Sequence, residues 1–182
     1  SGLMAALTAA RSGARVIVAD EQSEFGGGLL GTGIEVGGMA AGKWIQKMVE
    51  ALAKWPEVML LSRSTVTGYH DHNFLVINER RTHHLSNPAS LMSRERMWRV
   101  RAKQVVLATG AIERPLVFVD NDRPGVMLAS AVSVYMKRYA AVPGRSLVIF
   151  TNNDSAYRVV HDAIDAGVVV KGVVDLREDG VS

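Results

Sequence analysis

An α/β fold, with a parallel sheet flanked by helices, is what this sequence predicts on three observations. The stretch from Gly2 to Gly13 has helical periodicity and runs at once into the apolar triplet Val16-Ile17-Val18. Two later apolar runs, Val58 to Leu61 and Gln104-Val-Val-Leu-Ala-Thr-Gly110, lack regular in–out alternation. That pattern suits parallel strands covered on both faces. Finally, a strand–helix–strand pattern fills 146–175, and such alternation indicates parallel pairing.

In the first helix Leu3, Ala6, Leu7 and Ala10 recur at helical spacing and form a small apolar face that can lie close to a sheet. Gly13 stops it, because glycine adopts the left-handed conformation at little cost. The strand that follows ends in Asp20. A glycine-led helix N-terminus attracts phosphate, and a carboxylate about 20 residues on hydrogen-bonds a ribose diol. A dinucleotide such as NAD or FAD is therefore the expected ligand. Of the fingerprint Gly-x-Gly-x-x-Gly, only the last glycine, Gly2, is present. The first strand and two earlier glycines are expected before Ser1. Lack of that normally central strand is expected to leave the fold exposed and weak.

Residues 25–42 contain eight glycines, among them Gly26, Gly27 and Gly28. Downstream of Asp20 this density is read as close backbone approach to a ligand. A helix is predicted from Lys43 to Lys54, with Trp44, Met48, Ala51 and Leu52 near one face and Pro56 beyond its end. Thr65 to Tyr69, Phe74 to Asn78 and Met97 to Arg101 alternate as an antiparallel meander does, with turn chemistry at Asp71-His-Asn73. Residues 104–110 then return as a buried strand ending in a glycine turn.

A helix is expected from Leu128 to Tyr139, with Pro143-Gly144 as a junction. Strand, helix and strand follow over Ser146 to Phe150, Ser155 to Ala166 and Val168 to Asp175. Asp154 or Ser155 can cap that helix and Gly167 can stop it. The turn Thr151-Asn-Asn-Asp-Ser-Ala156 has no glycine. Side chains there crowd a pyrophosphate and Asp154 repels it, so this second unit is expected to be structural or to bind poorly. The expected domains are 1–125, a first dinucleotide-binding domain, and 126–182, the start of a glycine-poor second one.

The chain has 182 residues, enough for one domain or one and part of another. Net charge is +3 from 21 basic and 18 acidic residues, too mild and scattered to imply nucleic acid. The densest basic stretch, Arg94 to Lys103, reads as a solvated strand face. No apolar run approaches the roughly 20 residues of a membrane span. Cysteine is absent, which excludes a redox Cys-x-x-Cys and any thiolate metal or iron–sulfur site in this stretch. A cytoplasmic setting is expected. His70/His72 and His83/His84 lack a matched third ligand, so no metal site is expected. Neither a nucleophilic triad nor paired carboxylates stand out, so no catalytic residue is expected here and a cofactor carries any redox chemistry.

Gly2, Asp20, Gly26-Gly27, the meander over 65–101 and Ala108-Thr109-Gly110 together resemble the two-dinucleotide flavoprotein family, a Rossmann-like FAD/NAD(P)-binding fold, here expected to be truncated at both ends. More specific phrases are Ser93-Arg-Glu-Arg-Met-Trp98, Glu113-Arg-Pro115, Asn121-Asp-Arg-Pro-Gly125 and Asn153-Asp-Ser-Ala-Tyr157. With these the chain is similar to the alpha-subunit family of heterotetrameric sarcosine oxidase. The resemblance implies oxidative demethylation of sarcosine to glycine, with amine oxidation in a beta subunit, gamma and delta subunits being further partners. It implies a bound NAD here, or FAD as in related amine and opine dehydrogenase subunits; a structural scaffold that has lost nucleotide binding is the remaining alternative. Carried over, Gly2 approaches the pyrophosphate, Asp20 takes the adenosine ribose, and Glu21 and Gln22 border it. Gly27 and Gly28 flank the phosphates, Val66 meets adenine through its backbone, and Thr109 and Gly110 close over the dinucleotide.

Overall fold

The computed structural model describes residues 1–178. In chain order its elements begin with helix α1 (Gly2–Arg11), strand β1 (Val16–Ala19), the short strands β2 (Glu35–Val36) and β3 (Met39–Ala40), and helix α2 (Ala41–Ala53). Strands β4 (Val58–Leu61), β5 (Ser64–His70), β6 (Phe74–Arg80) and β7 (Glu95–Arg101) follow. The chain continues through α3 (Ala129–Tyr139), β8 (Ser146–Thr151), α4 (Ser155–Asp165) and β9 (Val169–Asp175). Two compact units result: Ser1–Gly27 with Gly42–Thr109, and Gly28–Ala41 with the described residues from Gly110 onward.

In the first unit Leu3, Ala6, Leu7 and Ala10 are the buried face of α1. Gly13 ends the helix at φ +82°. β1 pairs in parallel with β4, Val16 opposite Val58 through Ala19 opposite Leu61. Coverage on both faces is not met, because Ile17 and Met59, cross-strand neighbours, are each 40% exposed. α2 begins at Ala41, two residues before the predicted start, and buries Ala41, Ile45, Met48 and Leu52 at helical spacing.

The antiparallel meander forms as predicted, in the order β5-β6-β7. Register shifts between Val66 and Gly68. The β5–β6 turn uses left-handed conformations at His72 and Asn73, φ +59° and +52°. Tyr69 OH donates to Asn73 Oδ1 at 2.7 Å, and Asn73 Nδ2 to the Lys103 carbonyl at 3.1 Å. The basic strand face is partly paired rather than wholly solvated. Arg96 lies 5.2 Å from the Trp98 ring centroid and 3.8 Å from Glu79, and Arg101 lies over Phe74.

The expected strand over 104–110 is not formed, and Val106 and Leu107 are 69% and 71% exposed. An apolar run becomes a strand only where a neighbour accepts its backbone hydrogen bonds, and among the described residues none does.

In the second unit β8 and β9 pair in parallel around α4, the predicted strand–helix–strand. Its core is Met136, Ile149, Ala156, Val159, Ala163 and Val168. α3 and α4 are joined by a polar cluster in which Ser133 and Asp162 are buried. Ser133 Oγ donates to Asp162 Oδ2 at 2.6 Å, and Lys137 Nζ reaches Asp162 at 3.1 Å and Asp165 at 3.5 Å. The Asp162 hydrogen bond raises the Lys137 pKa above its ordinary value, against some desolvation. At the start of α3 the Glu113 carboxylate accepts from the Ala129 and Ser130 amides at 3.2 and 2.7 Å, a cap supplied from 16 residues upstream. Gly31 lies hard against α3: a Cβ there would fall 2.6 Å from Val134 Cγ2.

Candidate functional site

α1 and β1 are joined by a short turn and pack together, so they run antiparallel. The ten-residue helix is about 15 Å long and the four-residue strand about 13 Å. The N-terminus of α1, at Gly2, and the residue after β1, Asp20, therefore lie toward the same end of the pair. Ser1 adds no side-chain cap to α1, leaving first-turn amides for an anion.

Asp20 is held at the end of the β1–β4 ladder by its backbone. Its amide donates to the Leu61 carbonyl at 2.9 Å, and its carbonyl accepts from the Ser64 amide at 2.8 Å. The half-buried carboxylate accepts from the Gln22 amide through Oδ1 at 3.0 Å. Among the described residues Oδ2 has no donor. The turn after it is tethered at both carbonyls: Arg80 Nη2 donates to Glu21 O at 2.7 Å, and the Arg63 amide to Gln22 O at 2.7 Å. One carboxylate oxygen is thus positioned by a fixed backbone and left able to accept a hydroxyl.

Gly2 adjoins the apolar stretch before the glycine turn, since an added Cβ would sit 3.2 Å from Ala108 Cβ. That brings Ala108, next to Thr109, against the start of α1. Thr109 is exposed, and Gly110 has φ +75°. Gly27, at φ +55°, and Gly28 open a 3₁₀ turn over Gly27–Gly31, and a Cβ at either would meet nothing within 4 Å. Val66 lies on β5, opposite Ile77 and beside the register shift, and is 45% exposed. Gly28 and Gly110 belong to the second unit.

The equivalent positions of the second unit look different. Asp154 does not cap α4; its backbone is helical at φ −73°, ψ −19°. Asn153 Oδ1 instead accepts from the Ser155 amide at 3.0 Å and from the Ser155 hydroxyl. Asp175, at the end of β9, accepts from Arg177 Nε at 3.0 Å and Nη2 at 2.7 Å, and from Tyr157 OH at 3.0 Å. Arg177 holds the Asp175 carboxyl well below the usual carboxylate range. In return, its hydrogen bonds to Asp175 and then Asp154 push the guanidinium up. The Tyr157 phenol is raised by its hydrogen bond to Asp175. Sequence reasoning missed Arg177 and the Glu113 cap. Only the Asp175-x-Arg177 spacing hinted at the first.

Among the described residues no group of three His, Cys, Asp or Glu could hold a metal, and no helix is long and apolar enough to cross a membrane.

No family model matches the chain. It is 49% identical over 179 residues to the alpha subunit of the sarcosine oxidase of Corynebacterium sp. strain P-1, covering 97% of this chain and 18% of that protein. The corresponding alpha subunit of Rhizobium meliloti strain 1021 is 46% identical, with 97% and 18% covered. An opine oxidase subunit of Agrobacterium tumefaciens strain Ach5 is 29% identical over 98% of this chain and 35% of its own length. Among solved structures, L-proline dehydrogenase from P. horikoshii superposes with a TM-score of 0.74 at 23% identity, over 95% of this chain and 33% of that one. The fold is accordingly the Rossmann-like α/β type expected from the sequence, and the chain is a homologue of one stretch, about a fifth of the length, of the sarcosine oxidase alpha subunits.

Proposed function

We propose that this chain is the nucleotide-binding part of the alpha subunit of a multi-subunit sarcosine oxidase. Asp20 is the observation that carries the reading. Its backbone is anchored through both amide and carbonyl, its carboxylate accepts the Gln22 amide, and one oxygen is left able to accept a ribose hydroxyl. The uncapped N-terminus of α1, led by Gly2, lies toward the same end and favours the pyrophosphate. Gly27 flanks the phosphates, where a Cβ would meet nothing within 4 Å. Glu21 and Gln22 border the ribose, Val66 offers its backbone to adenine, and Thr109 closes over the dinucleotide.

NAD is the proposed occupant. Such a group, when bound, supplies hydride or electron chemistry that no side chain has. The residues named here bind and orient; none is assigned a proton. The resemblance to related amine and opine dehydrogenase subunits implies one second reading, FAD at the same site. Oxidation of the amine of sarcosine is proposed to occur in the beta subunit, with gamma and delta completing a heterotetramer in the cytoplasm.

Asp20→Ala in the full-length subunit tests the site. Loss of hydrogen bonds to a charged acceptor costs about 1–3 kcal/mol, one to two factors of ten in retention. The expected result is a matching fall in nucleotide recovered from the purified complex with the melting temperature nearly unchanged. Mass spectrometry of the released ligand distinguishes NAD from FAD. Undiminished nucleotide in the variant would refute the reading.

A further inference from the structure

The same local design occurs in both units, a helix N-terminus and a carboxylate at the end of the strand that follows, and the two are treated in opposite ways. In the first unit Asp20 accepts one backbone amide. In the second, four donors converge on Asp175: the Arg177 amide and Nε on Oδ1 at 3.1 and 3.0 Å, and Arg177 Nη2 and Tyr157 OH on Oδ2 at 2.7 and 3.0 Å. A carboxylate has about four lone-pair positions, so none is left for a sugar diol. The same Nη2 lies 2.7 Å from Asp154 Oδ1, tying the strand end to the turn that enters α4. In that turn Asn153 already takes the Ser155 amide, which a phosphate would otherwise use. Two carboxylates against one guanidinium also leave one negative charge, which repels phosphate.

We propose that Arg177 is a resident substitute for a nucleotide: it saturates the carboxylate that would grip a ribose, fastens it to the turn where phosphates would dock, and closes the second unit to dinucleotides. The inference rests on the dinucleotide reading of the shared design. A ligand entering here must first break a bidentate, charge-assisted pair and then displace the Asn153 cap.

The test uses the full-length subunit in its native complex. Nucleotide released per subunit is counted for the unaltered protein and for Asp20→Ala, Asp175→Asn, Arg177→Gln and Arg177→Lys. Asp20→Ala is also titrated with NAD, NADP and FAD. The expected result is nucleotide content unchanged by Asp175→Asn and Arg177→Gln, a melting temperature lowered by several degrees in both and partly restored in Arg177→Lys, and in Asp20→Ala only the weakened binding of its own site, with no added stoichiometric binding that depends on Asp175. A twofold or greater loss of nucleotide in Asp175→Asn, or stoichiometric binding by Asp20→Ala that Asp175→Asn abolishes, would overturn it. If Arg177→Gln does not fold, Asp175→Asn and the titration decide. Nucleotide retained by both Asp20→Ala and Asp175→Asn refutes the proposed role of Asp20 and leaves this inference standing.

Discussion

Two aspartates at matching positions show how little the residue type decides by itself. Asp20 and Asp175 both follow or end a strand behind a helix, yet among the described residues one has a donor on a single oxygen and the other has donors on both. The difference lies in the residues just downstream: Glu21-Gln22 in one case, Leu176-Arg177 in the other. It has a measurable sign. Because Arg177 depresses the Asp175 carboxyl in the folded state, the pair contributes stability above the ordinary Asp value of about 4. That contribution fades as pH falls from there through the depressed value. The gap in melting temperature between the unaltered protein and Asp175→Asn is therefore expected to be full at pH 7 and to narrow below about pH 4. Melting curves from pH 7 to pH 3 check it, and a gap that widens on acidification is the contrary result.

At the scale of elements, the glycines of residues 25–42 divide into kinds that sequence reading had merged. Ligand approach was the expectation for the segment, but Gly31 is a packing glycine, its α-carbon pressed against Val134 on α3. Gly31→Ala is expected to cost about 1–3 kcal/mol through overpacking. Gly28→Ala, into open space and without a positive φ, should stay within about 0.5 kcal/mol. Denaturant midpoints of the two variants measure this, and equal midpoints would show that α3 yields without cost. Elements defined by their own periodicity were legible: the face of α1, the meander, and α4 between its strands. Where an element depends on a distant partner, legibility failed. Residues 104–110 have strand composition but, among the described residues, no strand partner, the cap of α3 comes from Glu113, and the donors on Asp175 include a tyrosine 18 residues away. The placement of Asp20 after a strand behind α1 was legible because helix, turn and strand are contiguous, and its open oxygen was not, since that depends on what the next turn does.

For the whole molecule, the chain spans 18–19% of the sarcosine oxidase alpha subunits it matches, and apolar side chains stand on its surface. Ile17 and Met59 lie open on one face of their ladder, and Val106 and Leu107 are largely exposed. Exposed apolar groups gathered in one place recruit partners or hydrophobic dyes. The 182-residue chain produced alone is expected to enhance ANS fluorescence, and Val106→Thr with Leu107→Gln should reduce the signal. Fluorescence titration measures both, and an unchanged signal in the double variant would place the dye elsewhere.

The α3–α4 pairing has a consequence of its own. Asp162, 6% exposed, meets the Lys137 amine on one oxygen and the Ser133 hydroxyl on the other. Acetylating that amine erases the positive charge, and the carboxylate then keeps the Ser133 hydroxyl but loses its cation. The contact between the two helices would weaken, so an acyl group a few atoms in size would act on this fold as a wedge.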